Sequence, residues 1–368
     1  MRPSSRFHAI DEDFRAPYAR DRDRIIHAKS FRRLEYKTQV FLNQDGDFFR
    51  TRLTHTLEVS QIARALAKEL GLQESLAEAI AYAHDLGHTP FGHAGGDALD
   101  ELLKADGHAH GFEHNFQSFR TVTSLEKRYL AFDGLNLTYA TLEGILKHSY
   151  PYEKAFLPST LVELFALHKH PSLEAMVVDR ADEIAYMSHD IEDGINAGLI
   201  TFETLGDNDI IQAVQARIAQ EGVSYATHPS IYLYRFSSHL INHLVYSLID
   251  HSRGAIVPSE EPACGMLDAH APLPIGFAPT METQIKQLKK VLYQKLYRHP
   301  QIVRKMHAGK ECIGGLYRAL TKDKHLLPLE HQALLELRAP HRVIADYIAT
   351  LSDREALRLY QELYGFGL

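Results

Sequence analysis

Apolar residues recur every three or four positions along most of this chain, the spacing that gathers them on one face of an α-helix. In RLTHTLEVSQIARALAKELG, residues 52–71, Leu53, Leu57, Ile62, Leu66 and Leu70 fall near one face and Gly71 supplies a stop. ESLAEAIAYAHDLG (74–87) follows directly and stops at Gly87. SLEAMVVDRADEIAYMSHDIEDGINAG (172–198) predicts a third helix, FSSHLINHLVYSLIDHS (236–252) a fourth, and METQIKQLKKVLYQKLYRH (281–299) a fifth. Residues 329–364 read as two more. Strand-like alternation is scarce, and VSYATHPSIYLYRF (223–236) reads as a short strand or a turn. The expected fold class is all-α.

Two stretches break the helical period. Residues 255–280 hold five prolines, the mark of a long loop or a boundary. We therefore expect a catalytic helical domain over 1–254, a Pro-rich loop over 255–280, and a C-terminal helical subdomain over 281–368 packed on the catalytic body. KADGHAHGFEHNF (104–116) is also irregular and carries three histidines; loops of this kind are where function concentrates.

Composition narrows the class. At 368 residues the chain suffices for one large domain or two ordinary ones. No long uniformly apolar run predicts a membrane span, and the polar N-terminal stretch has no signal-peptide core. Two cysteines, Cys264 and Cys312, without a CxxC, argue against a disulfide framework or a thiolate zinc site and fit a reducing cytoplasm. A net charge of −7 argues against a general nucleic-acid coat but leaves room for a local basic patch. Tryptophan is absent, while 23 histidines exceed what packing alone demands.

The histidines and aspartates point to chemistry. His55 lies on the first helix, His84 and Asp85 close the second, and Asp182 lies on the third. Imidazole and carboxylate together suit a divalent ion, and four such ligands leave room for water or a phosphate oxygen. On the third helix Asp179, Asp182, Tyr186, Asp190 and Asp193 are spaced by three or four and form one stripe. Ala181, Ile184, Met187, Ile191 and Ile195 form an apolar face opposite it. Aspartate is a poor helix former, so the stripe is either a site or an unusual solvated face. In HDLGHTPFGHAGG (84–96), three histidines and four glycines follow one another closely. The glycines are expected to let the backbone approach a ligand.

The order of these motifs resembles the HD phosphohydrolase superfamily. RDRDRIIHAKSFRRLEYKTQVF (20–41), RTRLTHTLEVSQIAR (50–64), AHDLGHTPFGHAG (83–95) and DRADEIAYMSHDIEDGI (179–195) together resemble the bacterial dGTPase family, the deoxyguanosinetriphosphate triphosphohydrolase-like proteins. The matches run in order over most of residues 15–250. The resemblance implies an HD-domain helical bundle with additional C-terminal helices. It implies one divalent ion, Mg2+ or Mn2+, on His55, His84, Asp85 and Asp182. It implies hydrolysis of a deoxynucleoside triphosphate, dGTP or several dNTPs, to deoxynucleoside and tripolyphosphate. His93 and His114 match catalytic histidines, and His88 lies in the same loop, as a further catalytic group or as a brace. Arg52 resembles a phosphate-contacting arginine, and Arg235 is a second candidate. Tyr186 matches a sugar-stacking tyrosine, and Gln39 and Asp190 match residues that bond the 3′-hydroxyl. The resemblance also implies a homo-oligomer, often a hexamer; a nucleotide or single-stranded DNA is a candidate effector, and the composition points to a cytoplasmic protein with no membrane partner. Arg20, Arg22, Arg24, Arg32 and Arg33 read instead as a structural ion-pair network or a subunit contact.

One position departs from the family pattern. Gly96 stands where many members carry a glutamate that pairs with the catalytic histidine, and Asp97 is one residue late. One residue turns a helix by about 100°, so Asp97 cannot simply substitute. Either His114 takes the larger catalytic share or the rate is lower; a structural alternative is that Gly96 relaxes a turn and Asp97 caps a following helix, DALDELL. Two other functions remain open: an HD phosphohydrolase acting on another nucleotide such as a monophosphate, and a nucleotide- or single-stranded-DNA-binding regulator with weak catalysis.

Overall fold

The computed structural model describes residues 2–10, 14–41, 49–149, 159–206, 208–256, 259, 261–266, 268 and 271–365. The fold is all-α. The N-terminal third contains α1 (Pro17–Ile26), α2 (Lys29–Arg33), α3 (Arg52–Glu69), α4 (Glu74–Ala83) and α5 (Gly92–Ala105). The middle contains α6 (His114–Arg120), α7 (Tyr139–Leu146), α8 (Ser159–Leu164), α9 (Leu173–Asn196), α10 (Asp209–Gln220) and α11 (Pro229–Ser252). The last part contains α12 (Pro279–Leu292), α13 (Pro300–Lys322), α14 (Leu329–Leu334), α15 (Pro340–Thr350) and α16 (Asp353–Tyr364). Among the described residues β pairing is confined to isolated bridges, such as Thr38 with Thr51.

Three apolar cores organise these helices. The largest joins α3, α4, α9, α10, α11 and α12 through residues such as Ile62, Leu66, Ile80, Ile184, Leu244 and Leu288. A second lies between α2, the other face of α4 and α7, around Leu34, Ala83, Leu142 and Phe165. The third packs α5 against α13, α15 and α16 through Leu99, Leu103, Leu316, Ile344 and Ala356. Burying side chains of this size gains roughly 1.5–3 kcal/mol each, which is how helices of modest propensity hold fixed positions.

Several expectations shift in detail. Leu57 does not join the buried face of α3; it is 46% exposed. α4 ends at Ala83, so His84 and Asp85 sit in the turn that follows rather than within a helix reaching Gly87. Residues 223–236 form no strand: a turn leads into α11, which starts at Pro229. The stretch 329–364 forms three helices instead of two. Of the 255–280 loop, residues 257–258, 260, 267 and 269–270 lie outside the described residues. Both cysteines are free thiols. Arg22 pairs with Asp23 and Glu78, and buried Arg24 donates to the carbonyl of Asn136.

The C-terminal helices hold the loop that carries the histidines. Phe91, the residue before α5, has φ +62°, a left-handed conformation costly for a side chain of this size. Asp353, at the start of α16, accepts from the Phe91 amide at 3.0 Å and from the Thr38 amide at 2.9 Å. The ring of Phe91 lies against Gly309 of α13, where an added Cβ would stand 2.7 Å from the ring. Buried Lys37 bridges the carbonyls of His88 and Ala349, and burial pushes its amine down to about 7.

Candidate metal centre and active-site loop

Thr51 caps α3 through a reciprocal pair with Thr54, which fixes the first turn of the helix. Arg52 and His55 leave that turn on the same side, three residues apart, and both are buried. α4 runs beside α3 and delivers His84 and Asp85 at its end, and α9 crosses both helices and supplies Asp182.

These four residues meet. Ring nitrogens of His55 and His84 and a carboxylate oxygen of Asp182 lie within 4.8 Å of one another. His55 Nε2 is 2.9 Å from Asp182 Oδ1 and 3.9 Å from Asp85 Oδ2. His84 Nε2 is 3.5 Å from Asp85 Oδ1. His84 donates through Nδ1–H to the carbonyl of Ala81 at 2.6 Å. That bond fixes the tautomer, so Nε2 keeps its lone pair. This Nε2 is buried and makes no hydrogen bond among the described residues. A buried, unsatisfied imidazole lone pair facing two carboxylates is a donor set that fits a divalent cation.

The charges agree with that fit. Burial opposes a charge on His55, but Asp182 and Asp85 raise its pKa above the ordinary histidine value. His84 is lowered by burial. Desolvation would raise Asp182, yet His148 and His55 hold it well below the carboxylate range. Desolvation likewise opposes ionised Asp85, and His84, Arg52 and His88 hold it well below. Arg52 Nη1 donates to Asp85 Oδ2 at 2.6 Å, while its Nε is buried and makes no hydrogen bond among the described residues.

Asp85 also links this cluster to a second one. Its Oδ1 is 3.1 Å from His88 Nε2. The ring of His88 stacks on His114 at 4.2 Å and meets His93 edge-on at 5.0 Å. His114 comes from the first residue of α6, whose N-cap is Glu113; Glu113 Oε1 is 3.1 Å from His114 Nδ1. Burial, then the charge of Arg52, keeps His88 well below its usual pKa. Burial and the neighbouring His88 and His93 do the same for His114. A cavity of about 240 Å3 opens beside them, lined also by Gly96, Asp97 and Asp100.

The loop glycines serve packing. An added Cβ at Gly87 would meet the Ser118 amide at 2.1 Å, and at Gly95 the Pro90 carbonyl at 2.0 Å. These two glycines let the loop fold on itself and on α6. Gly96 and Asp97 both lie inside α5, so Asp97 caps no following helix. At Gly96 an added Cβ would find only ordinary contacts, Thr89 Oγ1 at 3.7 Å and the Phe112 ring at 3.8 Å.

The aspartate stripe of α9 is not a solvated face. Asp179 lies 2.5 Å from His148 Nδ1. Asp190 accepts from the hydroxyl of Tyr297 and lies 3.0 Å from His189 Nδ1. Asp193 pairs with Arg50 at 2.7 Å. Tyr186 is half-buried and lines a cavity of about 360 Å3 with Asp179, Asp182, Glu183, Ile275 and Lys289; Lys289 Nζ stands 5.4 Å from its ring centre. Gln39 Oε1 is buried and makes no hydrogen bond among the described residues. Arg235 forms a bidentate pair with Glu221 and contacts His239, and no described contact joins it to the histidine clusters.

Sequence reasoning missed three neighbours. His189 contacts His55 Nδ1 at 2.8 Å; it lies seven residues, two turns, beyond Asp182, so the stripe pattern was able to reveal it. His148 follows α7 in a turn and reaches Asp182 Oδ2 at 3.6 Å. Burial opposes its charge, but Asp179 and Asp182 hold its pKa well above the usual value. Tyr297 lies in a wide helical turn after α12. No local pattern marks either.

Comparison with known proteins agrees with this geometry. Residues 52–187 match the HD domain family, and residues 275–362 match the phosphohydrolase-associated domain. A deoxyguanosinetriphosphate triphosphohydrolase-like protein of Wolinella succinogenes is 58% identical over 99% of this chain and all of its own length. Proteins of the same description are 46% identical in Thiobacillus denitrificans, over 95% of this chain and 91% of theirs, and 43% identical in Geobacter sulfurreducens, over 99% and 92%. No helix among the described residues is long and apolar enough to cross a membrane. With its two histidine clusters joined through Asp85 and relatives that match it end to end, the chain belongs to the deoxyguanosinetriphosphate triphosphohydrolase-like family of metal-dependent HD phosphohydrolases.

Proposed function

We propose that this protein hydrolyses a deoxynucleoside 5′-triphosphate to the deoxynucleoside and inorganic tripolyphosphate. The observation that carries the reading is the position of Asp85, between the His55–His84–Asp182 cluster and the His88–His93–His114 cluster. Such a junction lets one phosphoryl group face a metal on one side and proton-transfer groups on the other.

In this reading His55, His84, Asp85 and Asp182 hold one Mg2+ or Mn2+. The ion supplies Lewis-acid polarisation of a phosphoryl oxygen. Arg52, paired with Asp85 and with an Nε that makes no hydrogen bond among the described residues, offers positive charge to the phosphates. Water attacks the α-phosphorus, the bond from phosphorus to O5′ breaks, and the departing oxygen takes a proton. His93 and His114 share the two proton transfers, and His114, held neutral, is able to accept one at neutral pH. His88, between Asp85 and His114, braces them. The deoxyribose lies against Tyr186 in the adjoining cavity, and Gln39 Oε1, buried with no hydrogen bond among the described residues, is a candidate acceptor for a sugar hydroxyl although it does not line that cavity. Asp190, already engaged by Tyr297 and His189, acts in sugar recognition together with Tyr297. Arg235, committed to Glu221, drops out of the phosphate site.

The test is product analysis with each dNTP and Mg2+ or Mn2+, read by phosphorus NMR. Tripolyphosphate and deoxynucleoside in equal amounts are expected. Orthophosphate released from a monophosphate, with no triphosphate turnover, would replace this reading with a nucleotidase one.

A further inference from the structure

We propose that His88, His93 and His114 form a second, inhibitory metal site, selective for a borderline transition ion such as Zn2+ or Co2+. One ring nitrogen from each lies within 4.8 Å of the other two. The three side chains reach this point from separate elements: the turn after α4, the first turn of α5 and the first residue of α6. Tetrahedral zinc holds imidazole nitrogens at about 2.0–2.1 Å, so side-chain rotations must draw the three inward. His93 is exposed and has room to swing.

Two features resemble the surroundings of a ligand set. Ligating histidines commonly use their second nitrogen on a carboxylate, which orients the ring. Here Asp85 Oδ1 stands 3.1 Å from His88 Nε2, and Glu113 Oε1 stands 3.1 Å from His114 Nδ1. The cavity beside the rings, about 240 Å3, is also lined by Asp97 and Asp100, of which Asp100 pairs with Lys104 and Asp97 stands 3.8 Å from Lys310. Gly96 lines the same cavity without a side chain.

The donor set decides the ion. Three imidazoles suit Zn2+ or Co2+, while Mg2+ and Mn2+ favour oxygen. Mg2+ or Mn2+ is therefore expected to enter only the mixed His/Asp cluster, whereas a transition ion also finds a ligand set in the trio. A transition ion here occupies the lone pairs that proton transfer requires, so it inhibits. The inhibition half rests on the proposed function; the binding half does not.

The experiment separates the two. In Asp182→Ala, which removes a ligand of the first cluster, Co2+ titration followed by visible absorption is expected to show one bound equivalent with tetrahedral bands. In Asp182→Ala/His93→Ala that equivalent is expected to vanish, with thermal stability unchanged because His93 is exposed. Wild-type turnover with Mg2+ is expected to fall at least tenfold on adding one equivalent of Zn2+ and to return with a chelator selective for zinc. No Co2+ equivalent in Asp182→Ala, or one that survives removal of His93, overturns the site. Zinc bound there without loss of turnover overturns its inhibitory role. Binding with no triphosphate hydrolysis under any ion leaves the site standing and overturns the proposed function alone.

Discussion

Gly95 and Gly96 are neighbours on α5, yet replacing each with alanine should change stability in opposite directions. Alanine is favoured over glycine in a helix interior by about 0.5–1 kcal/mol. At Gly96 nothing offsets that gain, because the nearest atoms to an added Cβ are 3.7 Å away or more. At Gly95 the new Cβ would lie 2.0 Å from the Pro90 carbonyl and 2.8 Å from Thr89 Oγ1. The first is backbone, so the loop has to move. Overpacking of this kind costs about 1–3 kcal/mol. The propensity gain is common to both sites, so the two variants should differ by the overpacking cost of about 1–3 kcal/mol, or about 2–6 °C in midpoint at roughly 2 °C per kcal/mol for a chain of this size. Thermal unfolding of the two proteins at one pH, without metal, is the assay. Gly95→Ala should also lower kcat, since the shifted backbone carries His88 and His93. A Gly95→Ala protein as stable as Gly96→Ala would refute the packing argument.

The same geometry makes Gly96→Glu informative: a carboxylate three residues beyond His93 on one helix should orient that ring and raise kcat, and a fall in rate would show that the open cavity itself is needed. Asp182→Ala should retain less than a tenth of the wild-type Mn2+ by elemental analysis while far-UV circular dichroism stays unchanged; full occupancy would remove Asp182 from the ligand set. Because His55 is held above its ordinary pKa in the metal-free protein, metal binding should release protons and tighten as pH rises, measured by calorimetry in buffers of different ionisation enthalpy. Without metal, the His148 contribution to stability should be fully present below the unfolded histidine pKa of about 6.5 and be lost as pH rises through its raised folded value; a metal-free His148→Gln protein with an unaltered pH–stability curve would contradict this. Tyr186→Ala should weaken dNTP turnover and admit ribonucleotides, whereas unchanged sugar preference would take Tyr186 out of sugar recognition.

What the sequence determined alone is what local chemistry can carry. The 3.6-residue period specified α3, α4, α9 and most of α11, because each helix buries a stripe whose spacing is written in consecutive residues. The pairing of Arg52 with His55, and the stripe from Asp179 to Asp193, follow from that same periodicity. Local pattern failed where partners lie far along the chain. Leu57 has the right spacing for burial and yet stands 46% exposed, because spacing does not say which side of a helix tertiary packing will cover. Arg235 carries no local sign of its partner Glu221, which lies fourteen residues earlier. Gly95 and Gly96 are indistinguishable as letters, and only the path of the loop over Pro90 sets them apart. His148 joins Asp179 and Asp182 because α7 packs beside α9, and Tyr297 reaches Asp190 from more than a hundred residues away. The loop that presents His88 and His93 keeps its shape through Asp353, Ala349 and Gly309, all C-terminal residues. A left-handed Phe91 is costly in isolation, and contacts from α13, α15 and α16 offset that cost. Periodicity reports which face of a helix is buried; it carries no information about which distant side chain will be found there.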